Sequence, residues 1–133
     1  MCVVWAATSP ESRRFHQVER RSEVNDLSAR FDDLRARGQG YVEVRTPNKD
    51  FPMLTLAFRG DHAVVHLMTD TERISLLTGD GTVSSDAEIE VPIMDDLAMF
   101  AGNFVLRTDR AWDLVHAFTQ TQTVSPLGEW WEL

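Results

Sequence analysis

Residues 41–68 read YVEVRTPNKDFPMLTLAFRGDHAVVHLM, and this stretch decides the fold. Short apolar runs with a period of two are separated by the turn residues Pro47–Asn48 and Gly60–Asp61, a pattern typical of β-strands. Short connections favour antiparallel neighbours, so the pattern predicts a meander. The predicted strands of this series are Tyr41–Arg45, Met53–Phe58, Ala63–Met68, Arg73–Leu77 and Glu88–Ile93.

Two helices are expected on either side of this series. The first runs from Glu23 to about Arg37, with Ser22 able to cap it and Gly38 ending it. The second begins at Thr108 or Asp109, either of which can cap it. The remaining expected elements are strands over residues 2–7, 15–19 and Leu127–Glu132, a helical turn over Met94–Ala101, and a brief extended piece over Asn103–Leu106.

This order of elements predicts one α+β domain spanning residues 1–133. We expect a mostly antiparallel, twisted sheet of about six to eight short strands, with the two main helices packed on one face. A chain of 133 residues can bury a core without disulfides, and it contains one cysteine, Cys2. The N-terminal apolar run is too short for a signal peptide, and no segment approaches the ~20 apolar residues of a membrane span. We therefore expect a cytoplasmic protein without a membrane partner.

Charge is distributed unevenly along the chain. Residues 61–133 hold thirteen acids against three arginines, whereas residues 1–60 hold eight acids against ten bases, and the formal net charge is −8. Between Ile74 and Leu106 there is no Lys or Arg. Such an acidic surface repels nucleic acid and steers basic proteins toward it. The carboxylates of this stretch, which are candidates for binding a basic partner, are Asp80, Asp86, Glu88, Glu90, Asp95 and Asp96.

Alternation places Glu88 and Glu90 on one side of their predicted strand, and Pro92 indicates a sheet edge because it cannot donate to a ladder. Charges on an edge strand can also serve only to block aggregation, and a net negative charge only solubility. As a general acid/base pair the two glutamates lack an enclosed pocket. Trp130 and Trp131 must point to opposite faces of the last strand, so one can fill the core and the other, taken as Trp130, can anchor an interface. The alternative is that packing within the chain covers both.

Other patterns do not indicate catalysis or a cofactor. His62 and His66 lie ~13 Å apart on a predicted strand, too far to chelate one metal ion. The segment Gly79–Gly81 lacks the spacing of a calcium loop and reads as a turn. No nucleophile elbow, phosphate-binding loop or dinucleotide fingerprint is present. We therefore expect no enzyme activity, no cofactor and no metal.

A series of short motifs runs from about Val24 to Leu133. They are Gly40–Glu43, Pro52-x-Leu54-x-Leu56, Gly60-x-His62 through His66, Gly79–Gly81, Val91–Pro92, Asp109-x-Ala111, Val115-x-x-Phe118 and Trp131–Glu132. Taken in order, these motifs resemble the "Imm-one" family of bacterial immunity proteins, which protect against polymorphic toxins. After the second helix, Thr119–Gln122 stands where such proteins often have a Thr-Gly turn.

The resemblance implies an α+β fold, no catalysis, and binding to a cognate toxin in the cytoplasm of the producing cell. Such toxins often act on nucleic acids, as deaminases or nucleases, so their substrate surfaces are basic. The alternative is a small cytoplasmic enzyme or ligand-binding domain with a pocket between sheet and helices. A homo-oligomer formed through an exposed strand edge remains open, although the sequence does not indicate one.

Overall fold

The computed structural model describes residues 2–133 and confirms the predicted α+β class. Within these residues the chain forms two α-helices and a mostly antiparallel β-structure. In chain order the elements are β1 (Cys2–Thr8), β2 (Phe15–Glu23), α1 (Val24–Arg37), β3 (Gln39–Arg45), β4 (Met53–Arg59), β5 (His62–Met68), β6 (Ile74–Leu77), β7 (Glu88–Ile93), β8 (Asp96–Ala101), β9 (Leu106–Arg107), α2 (Thr108–Thr121) and β10 (Trp130–Glu132). Short 3-10 turns cover Gly102–Phe104 and Ser125–Leu127.

The main sheet has eight strands in the order β10-β6-β5-β4-β3-β1-β2, with β9 added beside the start of β5. Its pairings are antiparallel throughout the described residues. Strands β3 to β6 form the first four strands of the predicted meander, and β1 returns to pair with β3. The fifth strand of that prediction, Glu88–Ile93, does not continue the meander, because it pairs with β8 in a separate sheet. The second sheet contains only β7 and β8, which form a hairpin.

Both helices pack on one face of the main sheet, as expected. Phe31 of α1 stacks on Trp112 of α2 with ring centroids 4.4 Å apart, and it also meets Phe58 of β4 at 5.3 Å. Leu34 and Phe118 are almost completely buried in the same layer. Apolar side chains therefore fill the space between the sheet and the helices.

Part of the opposite face of the sheet is covered by the β7–β8 hairpin. Ile89, Val91 and Ile93 of β7 point toward the sheet and join a second apolar cluster there. The sheet contributes Tyr41, Ala57, Val64 and Leu76 to this cluster. The molecule consequently has three layers, with helices, main sheet and hairpin in that order.

The helix ends agree with the sequence at Gly38 but not at the N-termini. Gly38 adopts φ 98° and donates its N–H to the carbonyls of Leu34 and Arg35, which ends α1. The predicted caps are wrong. Ser22 belongs to β2, where its hydroxyl accepts a hydrogen bond from the indole N–H of Trp5.

Thr108 and Asp109 likewise lie inside α2, whose N-cap position is Arg107. Thr108 is buried, and its hydroxyl donates to the carbonyl of Gly60 while its backbone N–H donates to that of Asp61. This side chain therefore fixes the start of α2 to the β4–β5 turn instead of capping its own helix.

Three predicted elements near the C-terminal half are also wrong in detail. Met94–Ala101 is not a helical turn, because Asp96–Ala101 is extended and pairs with β7. The extended piece predicted over Asn103–Leu106 is half right: Asn103 and Phe104 belong to a 3-10 turn, whereas Val105 is extended and Leu106 begins β9. The final strand is restricted to Trp130–Glu132, because Leu127 is buried at the end of another 3-10 turn.

The hairpin is attached to the rest of the molecule by close backbone contacts at its base. The N–H of Gly79 donates to the carbonyl of Asn103, and the N–H of Gly102 donates to that of Ala87. A Cβ at Gly102 would lie 1.9 Å from the carbonyl oxygen of Ser84. No side chain fits there unless the backbone moves.

We therefore expect Gly102→Ala to lower the free energy of unfolding by about 2 kcal/mol, the usual range for overpacking. Gly81→Ala is the control, because Gly81 has φ 80° but no neighbouring atom within 4 Å of the new Cβ. It should cost about 1 kcal/mol through backbone strain alone. Urea denaturation of both variants measures the difference, and equal losses would contradict the close packing at Gly102.

Candidate functional site

The outward side of the hairpin combines carboxylates with exposed apolar side chains. Cross-strand pairing places Glu88 opposite Ala101, and Glu90 opposite Met99. Directly paired residues share a face, so Met99 stands beside Glu90 on the solvent side. Leu97 and Met99 are 50% and 56% exposed. We call the side chains of Glu88, Glu90, Leu97 and Met99 the acidic hairpin surface. Asp96 pairs with Ile93 and therefore points to the other side of the hairpin, although it is exposed.

All six predicted carboxylates are exposed, but they do not form one continuous cluster. Asp80 lies in the loop after β6, where its carboxylate accepts hydrogen bonds at 3.0 Å from the backbone N–H groups of Thr82 and Arg107. Although partial burial acts in the opposite direction, hydrogen bonds from Arg107 and Thr82 hold the pKa of Asp80 below its ordinary value. Asp80 therefore stabilises a loop.

Two further carboxylates make contacts within the chain. Asp95, at the tip of the hairpin, accepts a hydrogen bond of 2.7 Å from the backbone N–H of Phe15 at the start of β2. Glu90 lies 3.8 Å from the guanidinium of Arg59, and both side chains are about half exposed. The carboxylates of Asp86, Glu88 and Asp96 make no ion pair with any of residues 2–133. These three are the ones available to a partner.

The two C-terminal tryptophans point to opposite faces, as strand geometry requires, and the exposed one is Trp131. Trp130 is half-buried against the helix layer, and its indole N–H donates to the carbonyl of Val124 at 3.0 Å. Trp131 is 64% exposed. The candidate role given to Trp130 is therefore better suited to its neighbour.

Sequence reasoning did not identify a polar row across the main sheet on the hairpin side. Glu43, Thr55 and His66 are successive cross-strand partners on β3, β4 and β5. The hydroxyl of Tyr41 donates to Glu43 at 2.9 Å. Burial raises the pKa of both Tyr41 and Glu43. The signal in the sequence was a polar residue inside each of three strongly apolar strands.

His66 forms the border between this row and the hairpin. Its ring meets the edge of Phe100 of β8, with centroids 5.4 Å apart. Burial lowers the pKa of His66 to about 4, so the imidazole is neutral at physiological pH. A neutral imidazole packed on a phenyl ring acts here as part of the core.

The clefts of the molecule lie at its surface. A cleft of about 280 Å³ opens at the rim of the sheet, between the end of α1 and the hairpin tip, with Arg13 and Arg37 on one side and Met94 and Leu97 on the other. Among residues 2–133, His, Cys, Asp and Glu side chains do not gather in groups that could hold a metal ion.

Neither α1 nor α2 has the length and apolar character needed to cross a membrane, and the described part of the chain contains no other helix that does. Comparison with protein-family models and with curated proteins gave no match to this chain. Functional inference therefore depends on the residues and their arrangement.

The lowered pKa of His66 makes stability depend on pH. Because the unfolded chain, with an ordinary value of 6.5, binds the proton more readily, stability is complete above pH 6.5 and declines toward pH 4. We expect the free energy of unfolding to fall by about 3 kcal/mol over this interval. His66→Gln should remove most of the decline, whereas His16→Gln, at an exposed position, should not. Denaturant titrations at several pH values test this, and parallel profiles for all three proteins would contradict it.

Proposed function

We propose that this protein is a non-catalytic bacterial immunity protein, which binds and neutralises a cognate toxin domain through the acidic hairpin surface. The observation that carries the proposal is a separate β-layer without any Lys or Arg, whose outward side presents carboxylates around Leu97 and Met99. The motif resemblance described above supports the same class of protein. The toxin is proposed to be a nucleic-acid deaminase or nuclease of the same cell.

Electrostatics favours such a partner. An enzyme that acts on nucleic acid needs Lys and Arg side chains to contact phosphates. The hairpin surface offers Glu88, whose carboxylate makes no ion pair within the described residues, and Glu90, which is about half exposed and lies 3.8 Å from Arg59. Both carboxylates can meet those cations. Complementary fields of this kind mainly raise the association rate and exclude wrong partners.

The exposed apolar side chains of the hairpin can supply binding energy, to which exposed charges add little. Interfaces typically have a desolvated centre of apolar or aromatic residues with a polar rim, and a few central residues carry most of the binding energy. Leu97 and Met99 project from the hairpin with Glu90 beside them. A partner that covers this surface would bury both side chains and leave the carboxylates at the edge.

The rival function, an enzyme or ligand-binding domain with a pocket between sheet and helices, receives less support. That space is occupied by side chains such as Phe31, Phe58 and Phe118, each of which is at most 1% exposed. Ligand pockets of typical size need several hundred Å³ of concave space. The centre of the sheet–helix layer is therefore a filled core. The cleft of about 610 Å³ between β2 and α1 lies at the edge of this layer and is open to solvent.

Co-expression with the toxin domain encoded by the neighbouring gene tests the proposal. We expect this protein to restore growth and to form a complex with that domain. Glu88→Gln with Glu90→Gln should slow association about threefold to tenfold at low ionic strength, with a smaller effect at high salt. The matched control is Asp32→Asn with Asp113→Asn, which removes the same charge from exposed helix positions. If both double variants associate equally fast, the acidic hairpin surface is not the contact.

The apolar centre is tested separately from the charges. Leu97→Ala and Met99→Ala should each weaken the complex about tenfold or more, because central apolar contacts are worth more than 1 kcal/mol each. The dissociation rate should account for most of the change. Val18→Ala is the control, because Val18 is 65% exposed on β2, an edge strand of the main sheet outside the hairpin. It should leave affinity unchanged. Calorimetry or surface plasmon resonance measures these affinities. If both hairpin variants bind as tightly as the wild type, Leu97 and Met99 are not at the centre of the interface.

A further inference from the structure

The hairpin covers only part of its face of the main sheet. Glu90 of β7 reaches Arg59 at one end of β4, and Phe100 of β8 meets His66, two residues from the end of β5. The sheet continues beyond His66 without a covering layer from residues 2–133. We call this uncovered region the open half of the sheet face.

Pairing registers show which side chains form the open half. Met53 pairs with Met68, and Met68 with Ile74, so these three form a row across β4, β5 and β6. The row continues at Leu133, whose N–H donates to the carbonyl of Ile74 at 2.9 Å. Trp131 pairs with Leu76 and stands on the same face beside this row.

These side chains form an exposed apolar strip at one edge of the sheet. Ile74, Trp131 and Leu133 are 36%, 64% and 69% exposed, and Met53 and Met68 are partly exposed. Three strand spacings of ~4.8 Å give the row a length of about 14 Å, which matches roughly four residues of extended chain. Methionines adapt to differently shaped partners, and an exposed tryptophan is a frequent anchor of interfaces.

One carboxylate on this face is not balanced by a cation of residues 2–133. Glu43 receives a hydrogen bond from Tyr41 but makes no ion pair within residues 2–133. The nearby guanidinium of Arg45 is engaged by Glu19, at 2.8 and 3.1 Å. Burial raises the pKa of Glu43, which means that its charged form is destabilised in the free protein. An incoming ammonium or guanidinium would offset that cost.

We propose that the open half of the sheet face receives an extended segment of the toxin, with apolar side chains on Met68, Ile74 and Trp131 and a Lys or Arg at Glu43. This deepens the proposed function, because it names the second part of the contact and the chemistry that fits it. A second copy of this chain fits less well, since two copies that each carry a net charge of −8 repel one another.

A pair of synthetic peptides tests this surface without the toxin. Acetyl-Lys-Leu-Lys-Leu-Lys-amide and its Glu-for-Lys counterpart are titrated into the isotope-labelled protein while amide and indole resonances are followed. We expect saturable shifts at Met68, Ile74 and the indole of Trp131 with the basic peptide, and at least tenfold weaker binding of the acidic one. Ile74→Lys should abolish the shifts, and Val18→Lys should not.

Glu43→Gln separates a binding role from a structural one. Glutamine keeps an oxygen that accepts the Tyr41 hydroxyl but removes the charge. Because burial raises the pKa of Glu43, the wild type loses stability as pH rises through that raised pKa, and the variant does not. At neutral pH the variant should therefore unfold at a higher temperature and still bind the basic peptide several-fold more weakly.

The possible results divide clearly. Equal binding of both peptides, shifts confined to other surfaces, or unchanged binding by Ile74→Lys would overturn the inference. A dimer in light scattering that Ile74→Lys dissociates would also overturn it, in favour of a second copy. If the neighbouring toxin is neutralised although the basic peptide does not bind, the proposed function stands and this inference fails. If the basic peptide binds but the toxin is not neutralised, the open half of the sheet face does bind basic extended chains and the proposed function fails.

Discussion

Burial of the central strands on both faces is the constraint on which the rest of the structure depends. Leu54, Leu56 and Phe58 of β4 face the helices, while Thr55 and Ala57 face the hairpin, and each of these five is at most 3% exposed. A sheet that is apolar on both sides needs a covering layer on each. The helices supply one layer, and because β7 and β8 supply the other, an antiparallel sheet is covered much as parallel sheets usually are.

The same constraint explains why Glu88 and Glu90 of the hairpin are exposed to solvent. A two-stranded sheet that packs one side on the core must turn its alternate residues to solvent. Since Ile89, Val91 and Ile93 face inward, strand alternation directs Glu88 and Glu90 to the solvent side. Their exposure follows from packing, but the presence of Leu97 and Met99 among them does not, because solubility would be served better by polar residues there. That mismatch is the stronger argument for a partner.

Much of the fold could be predicted from local pattern, because the meander, both helices and the stop at Gly38 depend on neighbouring residues. β8 was missed because its pairing depends on β7 and its turn lacks a glycine, with Met94 at φ 58° instead. The polar row at Glu43 and His66 was missed for a related reason. Strand periodicity shows which side a residue faces, but only the register shows that Glu43, Thr55 and His66 are neighbours.

Incomplete coverage by the hairpin links fold to function. Two short strands cannot cover a sheet that is seven strands wide along its main path, so a strip from Met53 to Leu133 stays open beside them. A protein selected only for stability would close that strip with a longer hairpin or make it polar, and it would not bury the unbalanced charge of Glu43. Exposed apolar area and an unmatched carboxylate both lower the stability of the isolated molecule. Both costs diminish when an extended, basic partner occupies the strip, so the features that weaken the free protein are the ones that would strengthen the complex.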